Sequence, residues 1–334
     1  MNMTPIFDGI DQRLLNQWQR GFPLQREPYA VLADALGLGD AAVLARLQRL
    51  QALGAFSRIG GAWAAGAGGA ALLCAYAVPP ARLEAVAAQV SAQAGVNHNY
   101  QREHHHNLWF VLTGPDATAV GQALDRLDAQ TGLPALRLRM QRAYRIDLGF
   151  DLRQRLAHDH APQRANAAPV AAADRPLAAW LEGGLPLRPR PYDEAAAACG
   201  WAPERVLAAL QRWLDQGTLR RLGVIVRHHE LGFDHNAMAV FDVSDAQVDA
   251  AGERLAQQPG VTLAYRRTRA AAWRYNLYAM VHGRARDEVR AAVAAAAQGA
   301  GLDGVPHELL FSCRRFKQEG GRYFSSAPVE AVHV

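Results

Sequence analysis

The sequence predicts an α+β protein of two tandem repeats, each a winged helix-turn-helix followed by a ferredoxin-like βαββαβ domain. Self-similarity is the first observation behind this. Residues 21–29 (GFPLQREPY) align with residues 184–192 (GLPLRPRPY) at an offset of 163. The same offset carries Gly37 to Gly200, Val43-Leu44 to Val206-Leu207, Gln48-Arg49 to Gln211-Arg212, Gly54 to Gly217, Arg58 to Arg221 and Gly60 to Gly223. Farther on, Gly95-Val96 and Tyr100 match Gly260-Val261 and Tyr265, and Asn107-Leu108 matches Asn276-Leu277. A repeat this long is a duplicated domain pair rather than a solenoid. The other two observations are periodicities: helical at the start of each half, alternating strand and helix in the rest.

Taken in order, Tyr29 to Leu36 reads as an amphipathic stretch, Gly37-Leu38-Gly39 as a turn, and Asp40 as the N-cap of a helix with Val43, Leu44, Leu47, Leu50 and Leu53 at spacings of three and four. Gly54 ends it, and residues 56–60 suggest a short strand, completing helix, turn, helix and wing. Then come a strand at 70–78, a helix at 81–92, strands at 96–102 and 108–114, a helix at 117–131 and a strand at 134–142. The sister half offers 237–243, 245–258, 261–267, 276–283, 286–298 and 305–313 in the same order, the ferredoxin-like plan. Domain boundaries follow: winged helices at 1–64 and 175–228, ferredoxin-like domains at 65–150 and 229–325, and between them an Ala-, Pro-, Gln- and Arg-rich linker at 151–174.

With 334 residues and one half of them hydrophobic, the chain is too long for a stapled mini-protein and too apolar for wholesale disorder. The longest apolar-looking run, Gly60 to Val78, is mostly Ala and Gly and is broken by Pro79-Pro80, so a membrane span is not expected. Residues 1–20 lack a targeting pattern, which makes a cytoplasmic protein the expectation. Cys74, Cys199 and Cys313 form no CxxC and read as small buried apolar residues. Of 36 basic residues only Lys317 is a lysine. Arginine without lysine suits forked recognition of carboxylate or phosphate on a defined ligand as well as it suits a polyanion, so the net charge of +5 does not by itself argue for nucleic acid.

A winged helix followed by a ferredoxin-like domain resembles the Lrp/AsnC family of transcriptional regulators. The recognition-helix positions argue against DNA binding. Residues 40–53 carry Asp40, Arg46 and Arg49, and residues 202–216 carry Glu204, Arg205, Arg212 and Asp215, whereas a major-groove helix needs an exposed basic or amide-rich face. No nucleic-acid partner is expected.

The densest polar cluster runs from His98 to Phe110. With residues 96–104 extended, period two places His98, Tyr100, Arg102 and His104 on one face. The sister segment places Tyr265, Arg267 and Arg269 on its equivalent face, with Leu263 where His98 stands. One half thus offers titratable groups and the other arginines. His105 and His106 read as a loop without a role, Trp109 and Tyr278 as core, and His228, His229 and His235 stay unassigned. No carboxylate or thiolate set accompanies the histidines, so no metal site is expected. No phosphate loop, nucleophile elbow or Cys-His pair emerges.

The segments 96–100, 102–104 and 107–110 resemble the NirD-type subunit of siroheme decarboxylase, while 261–263, 265–267 and 273–278 resemble the NirL-type subunit. The resemblance takes in the Gly21-Phe22-Pro23-Leu24 and Pro28-Tyr29 openings and residues 144–150, and covers about nine-tenths of the chain, which therefore resembles a fusion of the two subunits. It implies decarboxylation of the acetate side chains on rings C and D of siroheme, on the way to d-type heme. On that reading His98 and His104 supply or relay protons or position the carboxylate. Tyr100, Arg102, Tyr265, Arg267, Arg269 and Trp273 hold the substrate. No cofactor is implied, since the iron belongs to the substrate, and a homodimer is the assembly considered. A heme- or siroheme-responsive regulator is the alternative, and a heme carrier without turnover is a third reading.

Overall fold

A computed structural model describes residues 7–146, 167–226 and 235–325. The first half contains α1 (Gly9–Gln17), α2 (Pro28–Leu36), α3 (Asp40–Ala52), β1 (Phe56–Trp63), β2 (Ala70–Tyr76), α4 (Leu83–Ala92), β3 (Val96–Arg102), β4 (Leu108–Gly114), α5 (Ala117–Thr131) and β5 (Leu136–Ile146). The second contains α6 (Arg175–Glu182), α7 (Pro191–Cys199), α8 (Pro203–Gln216), β6 (Leu219–Val226), β7 (His235–Phe241), α9 (Val248–Ala256), β8 (Val261–Arg267), β9 (Leu277–Gly283), α10 (Arg286–Gly299) and β10 (His307–Gln318). The expected order of elements is present throughout. The chain does not, however, fold as four domains in a row: residues 7–68 join 167–226 in one unit, and 69–146 join 235–325 in the other. Like has paired with like.

In the winged-helix unit the wings β1 and β6 pair antiparallel, with Gly60 opposite Gly223. A side chain at Gly223 would meet the Trp18 carbonyl at 2.3 Å, so only glycine fits. The repeated opening motif is a reciprocal clasp: Tyr29 donates to the Pro186 carbonyl at 2.9 Å and Tyr192 donates to the Pro23 carbonyl at 2.8 Å. Pro28 and Pro191 each begin a helix, where the missing N–H is harmless, and Gly37 and Gly200 end them in left-handed conformation. Asp40 is the first helical residue rather than the N-cap. Gly39 holds the cap position and no side chain caps α3, although a carboxylate in the first turn still suits the helix dipole.

The other unit is a closed antiparallel barrel with strand order β10-β3-β4-β2-β5-β8-β9-β7, β7 returning to β10. Each half supplies one ferredoxin-like sheet, and the seams explain two misplaced strand ends. Expected to stop at 142 and 313, β5 and β10 instead run on to Ile146 and Gln318. Their second halves leave their own sheet and pair with the third element of the other half: β5 with β8, from Met140 opposite Arg267 to Ile146 opposite Leu263, and β10 with β3, from Ser312 opposite Arg102 to Gln318 opposite His98. Three strands separate β3 from β8 in either direction round the ring, so they form opposite walls. Helices α4 and α5 cover one outer face through Val86, Val90, Leu124 and Leu127, and α9 and α10 cover the other through Val248, Leu255, Val289 and Val293. A third cluster, including Trp109, Leu138, Val240, Trp273, Tyr278 and Leu310, joins inward side chains of both sheets.

Asn107 and Asn276, noticed as a repeated pair, do the same work twice. Asn107 bonds both the N–H and the carbonyl of Val78 at 2.9 Å, and Asn276 bonds those of Val243 at 3.0 and 2.9 Å. The expected linker lies outside the described residues up to position 166, but its end is packed: Val170 is buried, its N–H donates to the Ala67 carbonyl, and Asp174 pairs with Arg212. Cys74 is buried as expected, whereas Cys199 is intermediate and Cys313 is exposed on β10. His228, His229 and residues 147–150 lie outside the described residues. Among the described residues no helix is long and apolar enough to cross a membrane.

Candidate active site in the barrel

Strand β3 carries its chemistry on the barrel-lining face. An irregularity between Val96 and His98 resets the alternation, so that Val96 joins the core under the helices while His98, Tyr100 and Arg102 line the other side. Asn99 points the opposite way, donating to the Ala87 carbonyl and to Ser91 on α4. The His98 and Tyr100 rings are stacked with centroids 6.2 Å apart, and the Arg102 guanidinium lies 5.7 Å from the Tyr100 ring. Arg102 is 7% exposed and donates to the Leu310 carbonyl at 2.9 Å. Burial pushes its pKa down to about 10 and pushes the Tyr100 hydroxyl up.

The opposite wall repeats this arrangement. Arg267 on β8 lies 5.2 Å from the Tyr265 ring and 5.8 Å from the Tyr278 ring, and donates to the Leu138 carbonyl at 3.1 Å. Part of the residue is accessible, but its Nε is buried without a hydrogen-bond partner, and burial lowers its pKa. Among the described residues neither Arg102 nor Arg267 has a carboxylate partner, so the barrel holds two cations on facing walls without their anions. A guanidinium sunk this deep is matched by a forked, charge-assisted bond to carboxylate.

His104 lies beyond the end of β3, in the turn to β4, and its two ring nitrogens are both engaged. Nε2 faces Glu308 Oε2 at 2.8 Å and Nδ1 accepts the His106 N–H at 2.9 Å. The backbone amide therefore leaves the ring proton on Nε2, donated to Glu308. Glu308 also accepts from the Tyr275 hydroxyl at 2.7 Å, and burial with this bond raises the tyrosine to about 12. His106 is part of the site's frame, contrary to the expectation of a loop without a role. Its ring stacks on His104 at 5.7 Å and meets Trp273 edge-on at 5.8 Å, its carbonyl accepts from Trp109 Nε1, and burial beside His104 and His105 pulls its pKa down to about 4. Glu308, Tyr275 and His106 were not singled out by the sequence as site residues. The signal available for Glu308 was a lone acid directly before the apolar run Leu309-Leu310-Phe311.

Two expected substrate contacts sit elsewhere. Strand β8 ends at Arg267, so Arg269 does not share its face; it is bound by Asp242 at 2.8 Å and Asp245 at 2.7 Å and by the Val243 carbonyl, bracing the connection to β9. Trp273 is 3% exposed and donates its indole N–H to the Tyr278 hydroxyl at 2.7 Å, which makes it a packed support beneath the histidine turn. Among the described residues no cluster of three or more His, Cys, Asp or Glu side chains is placed to hold a metal ion. In the winged-helix unit three of the four recognition-helix arginines already face carboxylates: Arg46 pairs with Asp8 and Asp11, Arg49 with Asp11, and Arg212 with Asp174, while the fourth, Arg205, lies over the Trp201 ring at 3.8 Å.

Fold and site together define a tandem ligand-binding protein of AsnC-like build, in which two arginines without a carboxylate partner among the described residues are set into the barrel walls. The model of the AsnC-like ligand binding domain matches residues 67–145 and 230–317, and that of the siroheme decarboxylase NirDL-like HTH domain matches residues 11–56 and 174–220. A siroheme decarboxylase NirDL subunit of Paracoccus denitrificans is 42% identical over 94% of this chain and 97% of its own length. The crystal structure of a siroheme decarboxylase NirDL superposes with a TM-score of 0.67 at 27% identity, covering 95% of each chain. A second, in complex with an iron-uroporphyrin III analogue, gives 0.66 at 27% identity over the same shares. The chain belongs to the siroheme decarboxylase family, in its fused NirDL form.

Proposed function

We propose that this chain is a carboxy-lyase that removes the carboxyl groups of the ring C and ring D acetates of siroheme. The observation that carries the reading is the pair Arg102 and Arg267, set into facing walls of one barrel without a carboxylate partner among the described residues, each against a tyrosine. Siroheme is a flat iron tetrapyrrole with eight carboxylates, and two arginine forks on facing walls suit a ligand with acids around its rim. A relative's structure with an iron-uroporphyrin III analogue supports a substrate of this shape.

The reaction needs orientation, a place for negative charge and a proton. Arg102 and Arg267, with Tyr100 and Tyr265, hold the carboxylates that are not lost. The acetate that reacts leaves its electron pair on the methylene carbon, where the conjugated macrocycle disperses it. His98, on the lining face of β3 beside Tyr100, delivers the proton, a task that suits imidazole because its pKa lies near neutral pH. His104, with both nitrogens engaged, holds the turn in place. Arg269 is left out of substrate binding, and no resident cofactor is required because the iron enters with the substrate. A cytoplasmic location and a homodimer complete the proposal, to be tested by fractionation and sedimentation.

The regulator reading is less supported, since Arg46, Arg49 and Arg212 already face carboxylates. The test is anaerobic incubation of the purified protein with siroheme, followed by product mass. Loss of two carbon dioxide units is expected; binding without any mass change overturns the reading.

A further inference from the structure

This inference rests on the decarboxylase reading, which requires one substrate to lose two carboxyl groups. We propose that each chain has a single decarboxylating wall, on β3, and that the singly decarboxylated tetrapyrrole leaves, turns over and rebinds before the second carbon dioxide is lost.

The two walls are alike in what grips and unlike in what donates protons. Each holds an arginine over a tyrosine, and each arginine donates to the last strand of the other half, Arg102 to Leu310 and Arg267 to Leu138. The rest departs from the repeat. His98 has Leu263 as its counterpart. His106, directly before Asn107, corresponds to Tyr275, directly before Asn276. Ser312 lies opposite Arg102 as Met140 lies opposite Arg267, so Glu308 corresponds to Leu136 four residues before each. The β8 wall therefore lacks both the histidine and the carboxylate.

The substrate has a matching partial symmetry. Rings C and D carry their acetates and propionates in mirror order, so a half-turn about the in-plane axis running between them exchanges the two acetates and the two propionates. A turned-over molecule thus presents the second acetate to the same wall. In each pass the bond from the methylene to the carboxyl carbon breaks and carbon dioxide departs. The electron pair stays on the methylene, a proton from the His98 imidazolium converts it to methyl, and solvent returns a proton to His98. The iron keeps its oxidation state. A disc gripped through rim carboxylates by both walls cannot turn over without breaking those bonds, so turnover passes through release.

The proposal is tested by an isotope chase. Wild-type protein is mixed anaerobically with carbon-13-labelled siroheme, and at the maximum of the singly decarboxylated species a large excess of unlabelled siroheme is added, with masses followed afterwards. Labelled material that stops at the loss of one carbon dioxide supports release. Labelled material that goes on to lose the second carbon dioxide as fast as without the chase overturns it. If no carbon dioxide is lost before the chase, the decarboxylase reading itself falls, and this proposal with it.

Discussion

Arg102 and Arg267 are one position occurring twice. Each follows a tyrosine by two residues, lies against that ring at 5.7 or 5.2 Å, and donates to a carbonyl on the closing strand of the other half. The equivalence makes their roles directly comparable. Arg102→Ala and Arg267→Ala are each expected to weaken siroheme binding by about 10- to 100-fold, the worth of a lost charge-assisted bond. Lysine at either position is expected to recover little, because a single ammonium does not reproduce the fork. Absorbance titration with siroheme measures both, and a loss confined to one arginine would contradict the two-wall grip.

His98→Leu places on β3 the residue that the other wall carries at Leu263. Carbon dioxide release is expected to fall by about 100-fold or more, the usual contribution of a positioned proton donor, with siroheme affinity nearly unchanged. Single-turnover mass analysis beside the binding titration separates the two effects. Retained turnover would remove His98 from the chemistry.

Glu308 accepts from both His104 and Tyr275, so Glu308→Leu strands two donors at once. A rate loss of about tenfold or more at near-normal affinity is expected from the freed histidine turn. Glu308→Gln keeps one acceptor oxygen and should restore most of the rate. Nitrogen-15 NMR of the imidazoles gives a second readout, since the His104 ring proton is expected on Nε2 in the wild type and in Glu308→Gln but spread over both nitrogens in Glu308→Leu.

Stability should fall on mild acidification through His106. Its folded pKa, about 4, lies below the ordinary 6.5, so the unfolded chain binds more protons between those values. The contribution is fully present above pH 6.5 and is lost as pH falls toward 4. It amounts to about 1 kcal/mol once partial solvent exposure is allowed for. Urea midpoints at pH 7 and pH 5 test this, and His106→Gln is expected to show a smaller drop than the wild type.

Asn107→Ala and Asn276→Ala each remove two hydrogen bonds to the backbone of the residue two places beyond a barrel strand. A cost of about 2 kcal/mol is expected for each, since buried main-chain groups lose their partners. Thermal denaturation of the two variants should give similar shifts, in keeping with their equivalent places in the repeat.

Local pattern made the elements legible. Strands 96–102, 108–114 and 261–267 and helix 117–131 have the ends that periodicity and flanking glycines predict. Where β5 and β10 run past their expected ends the cause is non-local: each meets a strand of the other half that offers it an unpaired edge. The site was half legible for the same reason. Tyr100, Arg102, Tyr265 and Arg267 sit on strands, where period two assigns a face. Arg269 and His104 lie past strand ends, where that rule stops, and their neighbours, Asp242 and Glu308, come from distant sequence.

The sequence by itself determined the duplicated α+β plan, the Arg-Tyr spacing on two strands and the histidines peculiar to the first half, because these depend on residue order and short-range geometry. Only the tertiary structure decided that equal domains pair with one another, that the two arginines face across one closed barrel, and that Glu308 meets His104. Those are contacts between chain segments about 200 residues apart, and they form by burying surfaces and pairing strand edges that no local pattern labels as partners.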